Sequence, residues 1–198
     1  MIHKRLLLVI LVPVLAGLLA LAYPWTARSP SQSIEGTVQA AAPEVAPVPA
    51  LEFPPNTQWV QSEPLKLADL RGRVVIVQFW TFGCSNCIHN YPVYKAWQKK
   101  YAGHAVTIIG VHTPEFTNEA DATRVRAKAR ENGLKFPIAI DNDRRIWESW
   151  DNHAWPSIYL IDKQGRVRFN WEGELHLENA DARQFAARID DLLAEKPY

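Results

Sequence analysis

The chain holds two cysteines, Cys84 and Cys87, with only Ser85 and Asn86 between them. Thiols this close cannot form the disulfide framework of a small secreted protein, but they can act as a chemical pair. The seven residues before the turn that carries them, Val74–Trp80, are a continuous and largely β-branched apolar run broken only by Gln78, the pattern of a strand covered on both faces. Helical spacing follows over residues 85–101, so Cys84 stands where a buried strand ends and a helix begins. Free backbone N–H groups and the positive end of the helix dipole stabilise a thiolate at such a position. Cys87 lies one turn into the helix, near enough to bond to Cys84 and less exposed. The arrangement suits thiol–disulfide exchange: Cys84 attacks a partner disulfide, and Cys87 resolves the mixed disulfide by attacking Cys84. That exchange needs no metal and no organic cofactor.

Other uses of the pair are weaker. A structural disulfide closing so short a loop would contribute little stability. A zinc site normally takes four ligands, and no second cysteine pair exists. Copper accepts thiolate and imidazole, so Cys84 and Cys87 with His89 or His153 form a candidate copper-chaperone site. Haem attachment would need histidine directly after Cys87, where Ile88 stands.

The elements that would position the cysteines follow from periodicity and punctuation. Residues 65–70 read as a short edge strand or turn leading into the sheet. In the helix over 85–101, Tyr91, Tyr94 and Trp97 repeat on one face, and Pro92 predicts a kink. Residues 106–111 form a second buried strand, giving a right-handed parallel βαβ unit with the first. Thr117 or Asn118 can cap a helix running to Asn132 and Gly133, with Arg124, Arg126, Lys128 and Arg130 on a solvated face. Residues 136–140 make a short strand, 143–150 a short helix, and 157–161 and 167–171 a hairpin that turns at Gly165. A last helix over 179–194 points Phe185, Ile189, Leu192 and Leu193 inward. The sum is an α/β domain, a mixed sheet with helices on both faces.

Ahead of the domain the composition changes. Lys4 and Arg5 precede an uncharged apolar run over residues 6–23. A signal-peptide core is usually ~7–15 residues and a spanning helix roughly 17–25, so residues 1–25 read as a signal anchor, with a cleaved signal peptide as the alternative. Either way the basic end stays cytoplasmic and the remainder lies outside. Eight of the fourteen prolines fall between Pro24 and Pro64, and residues 26–50 are poor in aromatic and large aliphatic side chains, the composition of a disordered tether. The domain proper is then 51–198. Lys and Arg total 22 against 21 Asp and Glu, which gives no electrostatic reason to expect nucleic acid.

The stretch from Val74 through Cys87 resembles the active-site strand and turn of the thioredoxin superfamily, and residues 53–193 resemble its TlpA-like and ResA-like extracytoplasmic branch. Pro92 matches the proline that kinks the family's active-site helix. Trp155-Pro156-Ser157 matches its cis-proline segment, which offers backbone groups to the substrate; Trp80 and Trp155 flank the site and could rim it as an apolar surface, the alternative being that these aromatics belong to the core. Residues 106–133 resemble the inserted βα unit of TlpA-like and peroxiredoxin-like members. The turn Gly110 to Glu115 is similar to that of DipZ-type domains of the AhpC/TSA-redoxin branch. The resemblance implies a membrane-anchored thiol–disulfide oxidoreductase of the periplasmic face of the inner membrane. Its partners would be protein disulfides, including those of apocytochrome c, and a membrane thiol reductant that recharges it.

Where thioredoxins keep a buried aspartate this chain has Gln78, which cannot carry a proton. A glutamate of the insertion takes that part in ResA-like proteins, and Glu115 stands at the matching turn. Partial burial would raise its pKa and let it shuttle the proton of Cys87; the alternative is that it only caps the following helix. Gly83 replaces the tryptophan that often precedes the first cysteine. An antioxidant thiol peroxidase is a second enzymatic reading: Thr81 stands three residues before Cys84, as in peroxiredoxins, but no proline precedes it.

Overall fold

A computed structural model describes residues 46–196. The segment read as a signal anchor and most of the tether lie outside the described residues, and among those described no helix is long and apolar enough to cross a membrane.

Seven strands form one mixed sheet: β1 (Val48–Pro49), β2 (Gln58–Val60), β3 (Val74–Trp80), β4 (Val106–His112), β5 (Ile138–Ile140), β6 (Ser157–Ile161) and β7 (Arg166–Glu172). Their order across the sheet is β1-β7-β6-β3-β4-β5-β2. The three strands β3, β4 and β5 run parallel, and every other pairing is antiparallel. The continuous apolar run of β3 reflects its central place: all seven residues are buried, with β4 on one side and β6 on the other.

Alternate residues of β3 feed two core layers. Val74, Ile76 and Trp80 face a layer built with α2 (Tyr91–Lys100), α3 (Ala122–Glu131) and α5 (Ala180–Ala194), in which Tyr94, Trp97, Val125, Phe185 and Ile189 are buried. Val75, Val77 and Phe79 face the other layer, covered by Phe53, Leu67 and α4 (Arg145–Ser149) through Ile146 and Trp147. Helices on both faces are thus present as expected.

Of the strand or turn expected over residues 65–70, the structure has the turn, a 3-10 turn at residues 67–70; the amides of Leu67 and Ala68 donate to the Glu52 carboxylate, which fixes it from outside. Two local expectations are corrected. Thr117–Glu119 is a separate 3-10 turn, and α3 starts after Asp121, whose side chain accepts from the Thr123 amide. The helix expected over 85–101 is two helices, α1 (Ser85–His89) and α2, broken at Asn90 with Pro92 in the first turn of the second. Two strands were not anticipated. One of them, β1, lies in the stretch assigned to the tether, pairing Val48 with Val167 and Pro49 with Arg166.

Candidate active site

Beyond Trp80 the chain leaves the sheet through Thr81, Phe82 and Gly83, and Cys84 caps α1 in an extended conformation, φ −81° and ψ 119°. Its carbonyl accepts the Ile88 amide at 3.1 Å, so the helix begins at the cysteine itself. Cys84 is half-buried, Cys87 is fully buried, and both are free thiols.

This asymmetry sets their acidity. The Cys84 thiol is lowered from 9.0 to about 6, first by the hydrogen bond from the Cys87 thiol, then by the amides of Cys87 and Asn86; partial burial and the charge of Glu115 oppose the shift. Burial pushes the Cys87 thiol up, and its bond to Cys84 adds to that effect. At neutral pH the outer sulfur is therefore the nucleophile, and the inner one holds its proton until a mixed disulfide has formed.

The Trp155–Pro156 bond is cis, and the Trp155 carbonyl faces the Cys84 sulfur at 4.0 Å. Trp155 is held firmly. Its indole N–H donates to the Thr113 carbonyl at 3.0 Å, and its ring lies 4.0 Å from that of Trp147, with the Arg144 guanidinium over both. Pro156 is buried, and its carbonyl accepts the Gly173 amide at 2.8 Å.

Trp80 is corrected as a rim residue. It is 0% exposed and lies beneath the site, its ring edge-on to Tyr91 and His112. A strand buried on both faces leaves its last side chain no route to the surface. Glu115 also departs from expectation, being exposed rather than partly buried, and the caps around it belong to Asp121 and Glu119. Its charge still reaches both sulfurs and opposes ionisation of each. Gln78 is fully buried, and neither polar atom of its amide has a hydrogen-bond partner.

The fold also brings in residues that the sequence did not single out for the site. Asn90, one turn beyond Cys87 and fully buried, accepts the Leu175 amide at 2.6 Å and donates to the Gly173 carbonyl at 3.3 Å. Since Gly173 in turn holds Pro156, Asn90 links the active-site helix to the loop opposite Cys84. His112 is buried, 3.2 Å from the Thr81 hydroxyl, and burial pushes its imidazole down to about 4, so it is neutral at physiological pH. Glu119 is 1% exposed, and its carboxylate accepts the amides of Glu115 and Phe116 at 2.8 and 3.2 Å. No motif signalled these three; only burial distinguishes them from ordinary polar residues.

The histidines named for copper are engaged elsewhere. His89 pairs with Glu174 at 2.9 Å, and His153, 69% exposed, faces Asp151 at 3.4 Å. Among the described residues no group of three or more His, Cys, Asp or Glu side chains could hold a metal ion.

Comparison with known proteins agrees with this geometry. The profile of the AhpC/TSA family matches residues 46–170. Protein DipZ of Mycobacterium tuberculosis is 38% identical over 121 residues, covering 60% of this chain but 17% of its own length. Thiol-disulfide oxidoreductase ResA of Bacillus thuringiensis is 32% identical over 110 residues, 54% of this chain and 60% of its own. The crystal structure of a thiol-disulfide isomerase from Corynebacterium glutamicum superimposes with a TM-score of 0.60 at 27% identity, covering 78% of this chain and 98% of that one.

Proposed function

Because the chain belongs to the AhpC/TSA family, we propose that Cys84 and Cys87 are the dithiol of a thiol–disulfide oxidoreductase of the ResA type, working as a reductant of protein disulfides. The observation that carries this reading is the division of labour between the sulfurs: a half-buried, readily ionised Cys84 facing the Trp155 carbonyl, and a buried, protonated Cys87 behind it.

In the forward reaction the Cys84 thiolate attacks one sulfur of the substrate disulfide. The substrate's S–S bond breaks, its other sulfur leaves as a thiolate and takes a proton from solvent, and a mixed disulfide remains on Cys84. Cys87 then loses its proton and attacks the Cys84 sulfur, releasing the second substrate thiol. Two electrons have passed to the substrate, and the protein is left with a Cys84–Cys87 disulfide. The Trp155 carbonyl and the apolar surface of its ring are placed to meet substrate backbone beside the scissile bond. The loss of Trp80 from the rim leaves Trp155 and Pro156 as the proposed substrate contacts.

We place the protein outside the cytoplasm on the inner membrane, held by residues 1–25, recharged by a membrane thiol reductant and reducing substrates such as the haem-attachment cysteines of apocytochrome c. The support is the basic-flanked apolar run and the family. A peroxidase is disfavoured by Thr81, whose buried hydroxyl is committed to His112. The test is trapping: a Cys87→Ala variant should accumulate a mixed disulfide with a protein disulfide substrate, and Cys84→Ser should form none. Faster turnover of hydrogen peroxide than of protein disulfides, or stoichiometric copper on the purified reduced protein, would overturn the reading.

A further inference from the structure

Trp155, whose carbonyl faces the nucleophile, is anchored at two points, and both lead back to one carboxylate that the exchange chemistry leaves unused. Its indole N–H donates to the Thr113 carbonyl, and its ring lies 4.0 Å from that of Trp147. The Thr113 hydroxyl donates to Asp141 Oδ2 at 2.8 Å, and the Trp147 amide donates to the same oxygen at 2.9 Å. Asp141 Oδ1 takes the Ile146 amide at 2.9 Å, so a side chain in a residue 1% exposed accepts three hydrogen bonds. Its backbone is fixed as well: the amide donates to the His112 carbonyl at 2.9 Å, and the carbonyl accepts the Arg144 amide at 3.2 Å. Arg144 is left-handed, φ 61°, and its guanidinium closes the stack at 4.7 Å from the Trp147 ring and 5.1 Å from that of Trp155. Capping the first amides of α4 explains two of the three bonds. It does not explain the third, from a residue 28 positions away that itself carries the Trp155 contact.

We infer that Asp141 is a positioning residue for the substrate, fixing Thr113 and Trp147 so that Trp155 is held ready to meet the backbone of a disulfide-bearing peptide, an inference that rests on the dithiol reading and adds to it a residue remote from the reacting sulfurs. Three donors converge on the carboxylate, and only an acceptor with two oxygens and no N–H of its own satisfies all of them. An asparagine would set its NH2 against a backbone N–H of α4 and lose the charge that strengthens such bonds. Trp155 is partly exposed beside Cys84, so its order in the free protein decides what binding costs. Ordering one otherwise mobile side chain on binding weakens affinity by roughly two- to tenfold. Asp141 removes that cost in advance by fixing both the carbonyl that holds the indole N–H and the ring that the indole packs against. The benefit falls on peptide substrates alone. A small disulfide without peptide groups reaches Cys84 and makes no backbone contact at Trp155, so Asp141 sets the preference for peptides over small disulfides.

The test compares the second-order rate constants with which the reduced protein reduces a peptide disulfide and hydroxyethyl disulfide. In Asp141→Asn the ratio of the two should fall about fivefold. The Trp155 indole proton, followed by NMR and assigned with Trp155→Phe, should exchange with solvent about fivefold faster. Thr113→Val removes the hydroxyl link and leaves α4 capped, so it folds even if Asp141→Asn does not; it should move both readouts the same way, by about twofold. In a Trp155→Ala background neither substitution should lower the ratio further, although Asp141→Asn should still lower resistance to urea. A merely structural role would not give that pattern. A wild-type ratio in either variant that folds, or an equal fall of the ratio with and without Trp155, overturns the inference. Failure of Cys87→Ala to trap any mixed disulfide would overturn the oxidoreductase reading instead, so the two failures are distinct.

Discussion

The two sulfurs differ in acidity because of a single contact and a difference in burial. The thiol of Cys87 donates to Cys84, which favours charge on Cys84 and penalises it on Cys87. Alkylation of Cys84 should therefore rise with pH through a midpoint near 6 and level off above it, and Cys87→Ala should move that midpoint upward by removing the donor. Iodoacetamide kinetics from pH 4 to 9 measure both; an unmoved midpoint would show that the helix amides alone carry the effect. The cysteine pair was legible from its spacing at a strand-to-helix junction, whereas the cis-proline segment and the missing acid at Gln78 were legible only through the resemblance to the thioredoxin superfamily. Glu119 and His112 were not, because their roles depend on burial, which spacing cannot supply. Trp80 was misread for the same reason: nearness in sequence to Cys84 placed it beside the site, whereas the pleat of β3 turns it into the core.

The break between α1 and α2 positions the site in ways a continuous helix could not. Pro92 lacks an amide hydrogen, which loosens the helix over the preceding turn, and Asn90 uses that opening to send its side chain to the loop after β7 rather than to its own backbone. Asn90→Ala leaves the Leu175 amide and the Gly173 carbonyl without their partner, so it should cost about 2 kcal/mol or more of stability, measured by urea unfolding. Continuous apolar runs made β3, β4 and β6 readable, since these strands are buried on both faces, and helical periodicity made α5 readable, since it buries one. The edge strands β1 and β2 have two and three residues, and they exist only because β7 and β5 offer open edges. The start of α3 was misplaced because Glu119 folds back onto the amides of Glu115 and Phe116, which turns Thr117–Glu119 into a 3-10 turn before Asp121 can cap the helix.

For the whole molecule, redox state and stability are linked through the same proton. In the reduced protein Cys84 ionises near 6, whereas in the unfolded chain it does so near 9. Between those values the unfolded chain binds one more proton than the folded one, so stability of the reduced form rises with pH across that window and is lost as pH falls through 6. The size of the effect is tempered by the partial exposure of Cys84. His112 acts in the same direction at lower pH, since its buried imidazole stays neutral down to about 4 while the unfolded one charges near 6.5. That contribution is present in both redox forms, whereas the disulfide form has no Cys84 proton to exchange. The difference in Tm between reduced and oxidised protein should therefore move in favour of the reduced form from pH 6 to 8.5 and stay level from pH 4 to 5. Scanning calorimetry of both forms at matched salt measures it, and a difference that is constant with pH would mean that folding does not depress the Cys84 thiol. A reductant tuned this way loses driving force as the medium becomes more alkaline, because its reduced form becomes the more stable partner of the couple beyond the ordinary proton dependence of a dithiol.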